Sequence, residues 1–281
     1  MTLCVAWIRT VGDSQELVLA SDSRLSGCGE TWDACPKVLC LPRSDAAIAF
    51  AGSTLRTYPL MLQLVSSIAS FPESRRRILD FDEMKGHTVR VFNFILSKVV
   101  HEVHDGELEF RRELAASSFL LCGYSWRNKC FRVIRLAYDE SSGSYSAHSY
   151  KVKKRTCVFI GDVDEDKNID IPQEAKKRLE QILLSKDKFP DGNLDWEPFA
   201  VLRDIIIEAN HRTIGGPPQL LKIYPHMNTQ MFAVYWPSRS QGALTIGGRD
   251  TLDYERTDWP RLDATSLEVS GISLDDSTYM F

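Results

Sequence analysis

The fold is decided by residues 1–53, which read MTLCVAWIRTVGDSQELVLASDSRLSGCGETWDACPKVLCLPRSDAAIAFAGS. Four apolar runs predict four strands, at 3–8, 17–21, 38–41 and 46–51. A polar turn between the first two predicts that they form a hairpin. Asp22 directly follows the second strand, and Lys37 directly precedes the third. We therefore expect both side chains to lie at the ends of neighbouring strands, close to Thr2.

Thr2 is the candidate nucleophile of the chain. If Met1 is removed, Thr2 carries both a hydroxyl and a free α-amine that can act as its base. Such an amine titrates near ~7.7–8.0, so a useful fraction is neutral and able to accept the hydroxyl proton. Lys37 would supply a positive charge that favours the ionised hydroxyl, and Asp22 would orient that ammonium and stabilise its charged form.

A glycine turn at Gly52 comes directly before a predicted helix at 54–69. Backbone N–H groups at such a turn can stabilise a developing oxyanion, and we expect the Ser53 N–H to do so. We also expect the side-chain pocket for the substrate to be lined by Ala51 and Leu55.

The order of these features resembles the proteasome β-subunit family of N-terminal nucleophile hydrolases. The features are Thr2, then SDSR at 21–24, then Lys37 before an apolar strand, then FAG at 50–52 before a helix. Within that family, the opening MTLCVA and the SDSR segment look most like the bacterial ancestral β-subunit, Anbu. The resemblance covers residues 1–70 well and the rest of the chain loosely.

The resemblance implies an α+β protein with a four-layer αββα sandwich. It also implies a threonine-type peptidase that forms a homo-oligomer, as a ring or a spiral, and acts on a peptide or protein substrate. An ATP-dependent unfoldase is a possible partner of such an assembly. Hydrolysis by this mechanism requires no cofactor.

The remaining sequence alternates between helical and strand patterns. Apolar stripes predict helices at 54–69 and 85–104, one beginning at 172, and one at 196–210. Alternating or short apolar runs predict strands at 118–124, 130–137, 145–151, 156–160, 219–224, 231–236 and 243–246. Two sheets stacked between two helical layers would cover every apolar face. We expect one domain over 1–246 and an extended arm over 247–281, packed on its own domain or on a neighbouring subunit.

Two segments depart from the family pattern. Where proteasome-type subunits have a glycine-serine-glycine turn, this chain reads Gly161-Asp162. The family's second supporting pair, an aspartate and a serine before two glycines, is replaced by residues 211–216, HRTIGG. Neither supporting hydroxyl is in place, although Asp162 or Thr213 could substitute.

Composition narrows the functional classes. The 281 residues are 43% apolar and 26% charged, as in globular proteins, and the formal net charge of −4 favours neither a nucleic acid nor an anionic membrane as partner. No apolar run approaches the ~20 residues of a membrane span, and there is no secretory-type N-terminus, so we expect a cytoplasmic protein. Seven cysteines, an odd number without a C-x-x-C pair, indicate neither a disulfide framework nor a metal site.

Two alternatives to a peptidase stay open. One is a hydrolase of the same nucleophile class that acts on a small amide, which the N-terminal site alone does not distinguish from a peptidase. The other is a catalytically silent structural or regulatory subunit, because the supporting hydroxyls are missing. A chain that keeps Met1 would have no free Thr2 amine and would belong to the silent class.

Overall fold

The structure is a computed structural model that describes residues 2–27, 29–101, 106–164, 167 and 169–271. The expected removal of Met1 therefore concerns a residue outside the described part of the chain. The last residues of the predicted arm, 272–281, also lie outside it.

Strands account for most of the regular structure. In chain order they are β1 Leu3–Val11, β2 Ser14–Ser21, β3 Leu25–Gly27, β4 Glu30–Trp32, β5 Val38–Cys40, β6 Ala46–Ala51, β7 Ser118–Ser125, β8 Cys130–Asp139, β9 Ser144–Tyr150, β10 Cys157–Gly161, β11 Val163–Asp164, β12 Ile169–Asp170, β13 Gln219–Tyr224, β14 Asn228–Trp236, β15 Ala243–Ile246, β16 Arg249–Asp250, β17 Arg261–Asp263 and β18 Val269–Ser270.

Helices follow the amphipathic segments. They are α1 Thr54–Ser70, α2 Pro72–Arg75, α3 Phe81–Leu96, α4 Gly106–Ala115, α5 Ile171–Ser185 and α6 Glu197–Glu208. In α1 the apolar side chains recur at helical spacing, so that Leu60, Met61, Leu64 and Ile68 are buried on one face.

Two larger sheets organise these elements. The first runs in the order β10-β1-β2-β13-β14-β15-β16, and β17 and β18 extend it beside β14. Its pairings are antiparallel except for β14 with β17, which is parallel. The second sheet runs β5-β6-β7-β8-β9 and is antiparallel throughout. This is a mixed fold of antiparallel sheets and helices, compatible with the predicted α+β class.

Three apolar clusters hold the elements together. One joins the first sheet to α5 and α6, with Trp7, Phe199 and Leu202 at its centre. A second joins the other sheet to α1 and α3 through residues such as Phe50 and Phe92. The third cluster lies between the two sheets and contains side chains from both. Its members include Cys4, Ala6, Leu19, Ala49, Ala51, Leu120 and Leu221. Because successive side chains of a strand point to opposite faces, β1 contributes to the first and third clusters alternately.

The structure corrects the predicted course of residues 72–115. The second long helix is α3, which begins at Phe81 and ends at Leu96, and does not run over 85–104. Its start is fixed by a capping box in which the Asp80 side chain accepts a backbone N–H and Glu83 reaches back to the Asp80 N–H. The predicted bounds of this helix were therefore wrong, and α4 had not been predicted. Only Leu114 is buried in α4, so it carries no wide apolar stripe.

The described part of the C-terminal arm adds to the first sheet. β17 pairs in parallel with β14, and Leu262 and Ala264 join the cluster that contains Trp7. Among the described residues, no helix is both long enough and apolar enough to cross a bilayer.

Candidate active site

Strand pairing brings Thr2 beside Asp22. Thr2 precedes β1, which lies between β2 and β10 in the first sheet. Cys4 pairs with Ser21, and the Asp22 N–H donates to the Leu3 carbonyl at 3.3 Å. The hairpin predicted from sequence thus places the first residue after β2 next to the residue before β1.

Lys37 joins Thr2 to Asp22. Its Nζ donates to Thr2 Oγ1 at 2.6 Å and to the two Asp22 carboxylate oxygens at 3.0 Å and 3.1 Å. All three residues are fully buried, with 0% exposure each. A buried charge is tolerated only when it is paired and hydrogen-bonded, and here each of the two charges faces the other. The three residues singled out from sequence therefore form one connected cluster.

The Asp22 carboxylate is held by three backbone donors in addition to Lys37. Oδ1 accepts the Leu3 N–H, and Oδ2 accepts the Arg24 and Gly215 N–H groups, each at 3.2 Å. Such donors stabilise the ionised form and fix the plane of the carboxylate. Asp22 thus presents a fixed negative charge to the Lys37 ammonium.

Gly215 is required where the 211–216 loop meets the residues after β2. A Cβ at Gly215 would lie 2.3 Å from Arg24 Cζ, and the Ser23 N–H donates to the Gly215 carbonyl at 3.1 Å. Arg24 itself pairs with Asp33 through Nε at 2.6 Å and Nη2 at 2.7 Å, and not with Asp22. The close approach lets the Gly215 N–H reach the Asp22 carboxylate.

Gln219, at the start of β13, positions the backbone of Lys37. Its Oε1 accepts the N–H groups of Lys37 at 2.9 Å and Val38 at 3.1 Å, and its Nε2 donates to the Cys35 carbonyl at 2.6 Å. The Gln219 side chain thus makes hydrogen bonds to this backbone of the kind that a neighbouring strand would make. Lys37 therefore enters the site from a backbone held on both sides of its Cα.

The predicted oxyanion donor already has an acceptor. The Ser53 N–H donates to Ser117 Oγ at 3.1 Å, and Ser117 Oγ donates in turn to the Glu113 carbonyl at 2.7 Å. A Cβ at Gly52, whose φ is 118°, would lie 2.3 Å from Ser117 Oγ, so glycine is needed for this contact. An oxyanion bound to the Ser53 N–H would have to share that donor with the Ser117 hydroxyl or displace the hydroxyl.

The two predicted pocket residues lie in different environments. Ala51 is buried in the cluster between the two sheets, beside Cys4 and Ala6. Leu55, in the first turn of α1, is 69% exposed. Their assignment to a substrate pocket stays a prediction.

Asp162 lies beside Thr2. Its neighbour Gly161 pairs with Leu3 across β10 and β1, and a Cβ at Gly161 would lie 2.8 Å from the Thr2 carbonyl oxygen. Burial raises the pKa of Asp162, while nearby positive charge, which includes that of Lys37, acts in the opposite direction. Thr213, the other suggested substitute, is buried with 8% exposure.

Cys4 is close to the site but is not placed as a nucleophile. Its Sγ donates to Ser21 Oγ and to the Phe50 carbonyl, both at 3.0 Å. Burial raises the pKa of the thiol to about 12, so it stays protonated at neutral pH.

The site residues missed by the sequence analysis are Gln219, Ser117 and the N–H of Gly215. The sequence analysis noted Gly215 only as part of a departure from a family pattern. For Gln219 the available signal was a polar Gln at the first position of a predicted apolar strand. In the described part of the chain, no group of three His, Cys, Asp or Glu side chains is arranged to hold a metal ion. In comparisons with known proteins, neither a protein-family model nor a curated protein matches the chain.

Proposed function

We propose that this protein is a threonine N-terminal nucleophile hydrolase, and that its substrates are peptides. The observation that carries the proposal is the Lys37 ammonium, which donates to the Thr2 hydroxyl and to both oxygens of Asp22 in a fully buried cluster. A hydroxyl that accepts a hydrogen bond from a buried ammonium is favoured in its ionised form.

The reaction proceeds through an ester. Thr2 Oγ attacks the substrate carbonyl while its proton passes to the Thr2 α-amine, which gives a tetrahedral oxyanion and an α-ammonium. The C–N bond then breaks as the α-ammonium returns the proton to the leaving amine. Water, deprotonated by the same amine, attacks the ester, and the acid product leaves as Thr2 recovers its hydroxyl.

Residues around Thr2 have separate roles in these steps. Lys37 lowers the free energy of the developing alkoxide, and Asp22 holds the Lys37 ammonium in place. We propose that the Ser53 N–H stabilises the oxyanion after it exchanges the Ser117 hydroxyl for the substrate oxygen. Ala51 and Leu55 remain the proposed pocket residues.

We further propose that the fold is the four-layer αββα sandwich of the proteasome β-subunit family. Three apolar clusters in succession support this proposal: helices with the first sheet, the first sheet with the second, and the second sheet with helices. A location in the cytoplasm stays a proposal that rests on the sequence analysis alone.

Assembly into a homo-oligomer belongs to the same proposal. Leu62 on α1 and Phe94 on α3 are exposed, and a cavity of about 720 Å³ lies between those two helices. We propose that these two side chains and the surface between the two helices contact a neighbouring copy of the chain. A ring or spiral would enclose the Thr2 sites and favour extended peptides, whereas a monomer would favour the small-amide alternative. Sedimentation of the purified chain distinguishes the two.

A catalytically silent subunit is the second candidate. It is favoured by the complete burial of the Thr2 side chain in the described structure. Hydrolysis of a mixed peptide library, followed by mass spectrometry, tests both candidates. The hydrolase proposal expects Thr2→Ser to retain measurable cleavage and Thr2→Ala to lose at least about 10³-fold. Equal cleavage by wild type and Thr2→Ala, or none by wild type, would reject the peptidase.

A further inference from the structure

A groove lies between α1 and α3, and its described lining is basic and apolar. The volume of this α1–α3 groove is about 720 Å³, within the range of about 300–1,000 Å³ that is typical of ligand-binding clefts. Val91, Phe94 and Ile95 form its apolar part, and Arg90 and Lys98 are its exposed cations. None of the described residues that line the groove is acidic.

The two exposed cations can accept an anionic partner. The Lys98 ammonium lies 5.0 Å over the Phe94 ring, and among the described residues no carboxylate forms an ion pair with Lys98 or Arg90. His87 also lines the groove. It adds no charge at neutral pH, because burial and the Arg90 charge lower the pKa of His87. The groove therefore presents two positive charges beside apolar surface.

Residues 272–281, which lie outside the described part of the chain, have the complementary composition. This tail segment reads ISLDDSTYMF and contains two aspartates, no Lys or Arg, and large apolar residues on both sides of the aspartates. Opposite charges on two surfaces favour and orient their contact. Ten extended residues span at most about 33–36 Å, and α3, with 16 residues, is about 24 Å long. The tail segment is therefore long enough to follow the groove.

The chain approaches the tail segment beside the first sheet. β17 pairs with β14, and Ala264 packs in the cluster that contains α5 and α6. Arg203 of α6 donates to the Ala264 carbonyl at 3.0 Å. The helices α1 and α3 pack instead on the second sheet. To reach the groove of its own copy, the tail segment would have to pass around the edges of both sheets, so a neighbouring copy is the favoured partner.

We propose that the α1–α3 groove binds residues 272–281 of a neighbouring copy of the chain. In this contact Asp275 and Asp276 lie beside Arg90 and Lys98, and the large apolar residues of the tail segment cover the apolar surface of α3. The proposal rests on the homo-oligomer of the proposed function and names the segment that joins one copy to the next. Because ion pairs at an exposed margin are screened by salt, assembly weakens as the salt concentration rises.

Charge reversal in the full-length chain tests this pairing, with sedimentation velocity as the measurement. The tail variant carries Asp275→Arg and Asp276→Arg, and the groove variant carries Arg90→Asp and Lys98→Asp. We expect each variant alone to assemble about 10-fold more weakly than wild type, or worse, because attractive contacts become repulsive. An equimolar mixture of the two variants should assemble as wild type does, since each tail segment then meets a groove of opposite charge. Recovery in the mixture also shows that both variants are folded.

A control variant carries Lys153→Asp and Lys154→Asp, in the connection between β9 and β10. Both lysines are exposed, and the control makes a charge change of the same size as the groove variant. It should assemble as wild type does.

Three results would overturn the inference. Wild-type assembly by either variant alone, or no recovery in the mixture, would reject the tail segment as the occupant and leave the homo-oligomer standing. Recovery only in a single chain with all four substitutions would mean that each groove binds the tail segment of its own copy. A wild-type chain that stays monomeric at every concentration would reject the homo-oligomer itself, and with it the neighbouring copy. None of these results bears on Thr2 as the nucleophile.

Discussion

Replacing Lys37 by Met tests whether the buried cluster at the N-terminus exists as described. The substitution removes the ammonium and leaves the Asp22 carboxylate fully buried, with backbone N–H donors only. Breaking a buried ion pair in this way costs about 3–5 kcal/mol. Because domains are stable by about 5–15 kcal/mol, we expect a large fall in the free energy of unfolding, measured by urea denaturation.

The pairing itself is measured by a double-mutant cycle. Asp22→Asn alone leaves the Lys37 ammonium buried without its counter-ion and should cost a similar amount. The double variant removes both charges, so its loss should be smaller than the sum of the single losses by about 2 kcal/mol or more. Arg111→Met breaks the exposed Arg111–Glu107 pair and should have little effect. A Lys37→Met protein as stable as this control, or additive single losses, would refute the buried pair.

Three further predictions follow from contacts around the site and from one distant carboxylate. Gly161→Ala places a Cβ 2.8 Å from the Thr2 carbonyl oxygen and should slow inactivation of the protein by a peptide epoxyketone by about 10²-fold. The control Gly27→Ala, whose Cβ meets no atom within 4 Å, should leave the inactivation rate unchanged. Equal rates for the two variants would contradict the close packing. Gln219→Leu leaves two buried backbone N–H groups without an acceptor and should lower the urea-unfolding free energy by about 1–3 kcal/mol for each, so an unchanged midpoint would count against its bridging role. Burial alone would raise the pKa of Glu197, but hydrogen bonds from lysine and backbone donors lower it to about 2, below the reference value of 4.5. Its ionised form therefore stabilises the fold above pH 4.5, and the stability difference from Glu197→Gln should shrink as the pH falls towards about 2; a pH-independent difference would disprove this pairing.

The Thr2 cluster could be predicted because its parts are local. A hairpin brings the residue after β2 beside the residue before β1, and this follows from two apolar runs and a short turn. Lys37 is different, because β5, which follows it, pairs with β6 in the second sheet and not with the hairpin. The structure brings Lys37 to Thr2 and Asp22 from that second sheet, and not by the pairing of neighbouring strands that the sequence predicted.

The support of that cluster could not be predicted, because it comes from distant segments. Gln219 is 182 positions from Lys37, and the Gly215 N–H is 193 positions from Asp22. Ser117 is 64 positions from Ser53, whose N–H it occupies. No periodicity or local motif links such pairs, since their contacts depend on how the sheets and loops pack. A helix with a single buried residue, such as α4, is missed for a related reason, because its pattern carries almost no apolar stripe.

The central claim is that Thr2, freed from Met1, is the nucleophile. It is tested most directly by the intact mass of the purified protein before and after exposure to a peptide epoxyketone, which reacts with a free N-terminal threonine through its amine and hydroxyl together. We expect loss of the Met1 mass and one adduct per chain, absent in Thr2→Ala. A protein that retains Met1 and forms no adduct would contradict it.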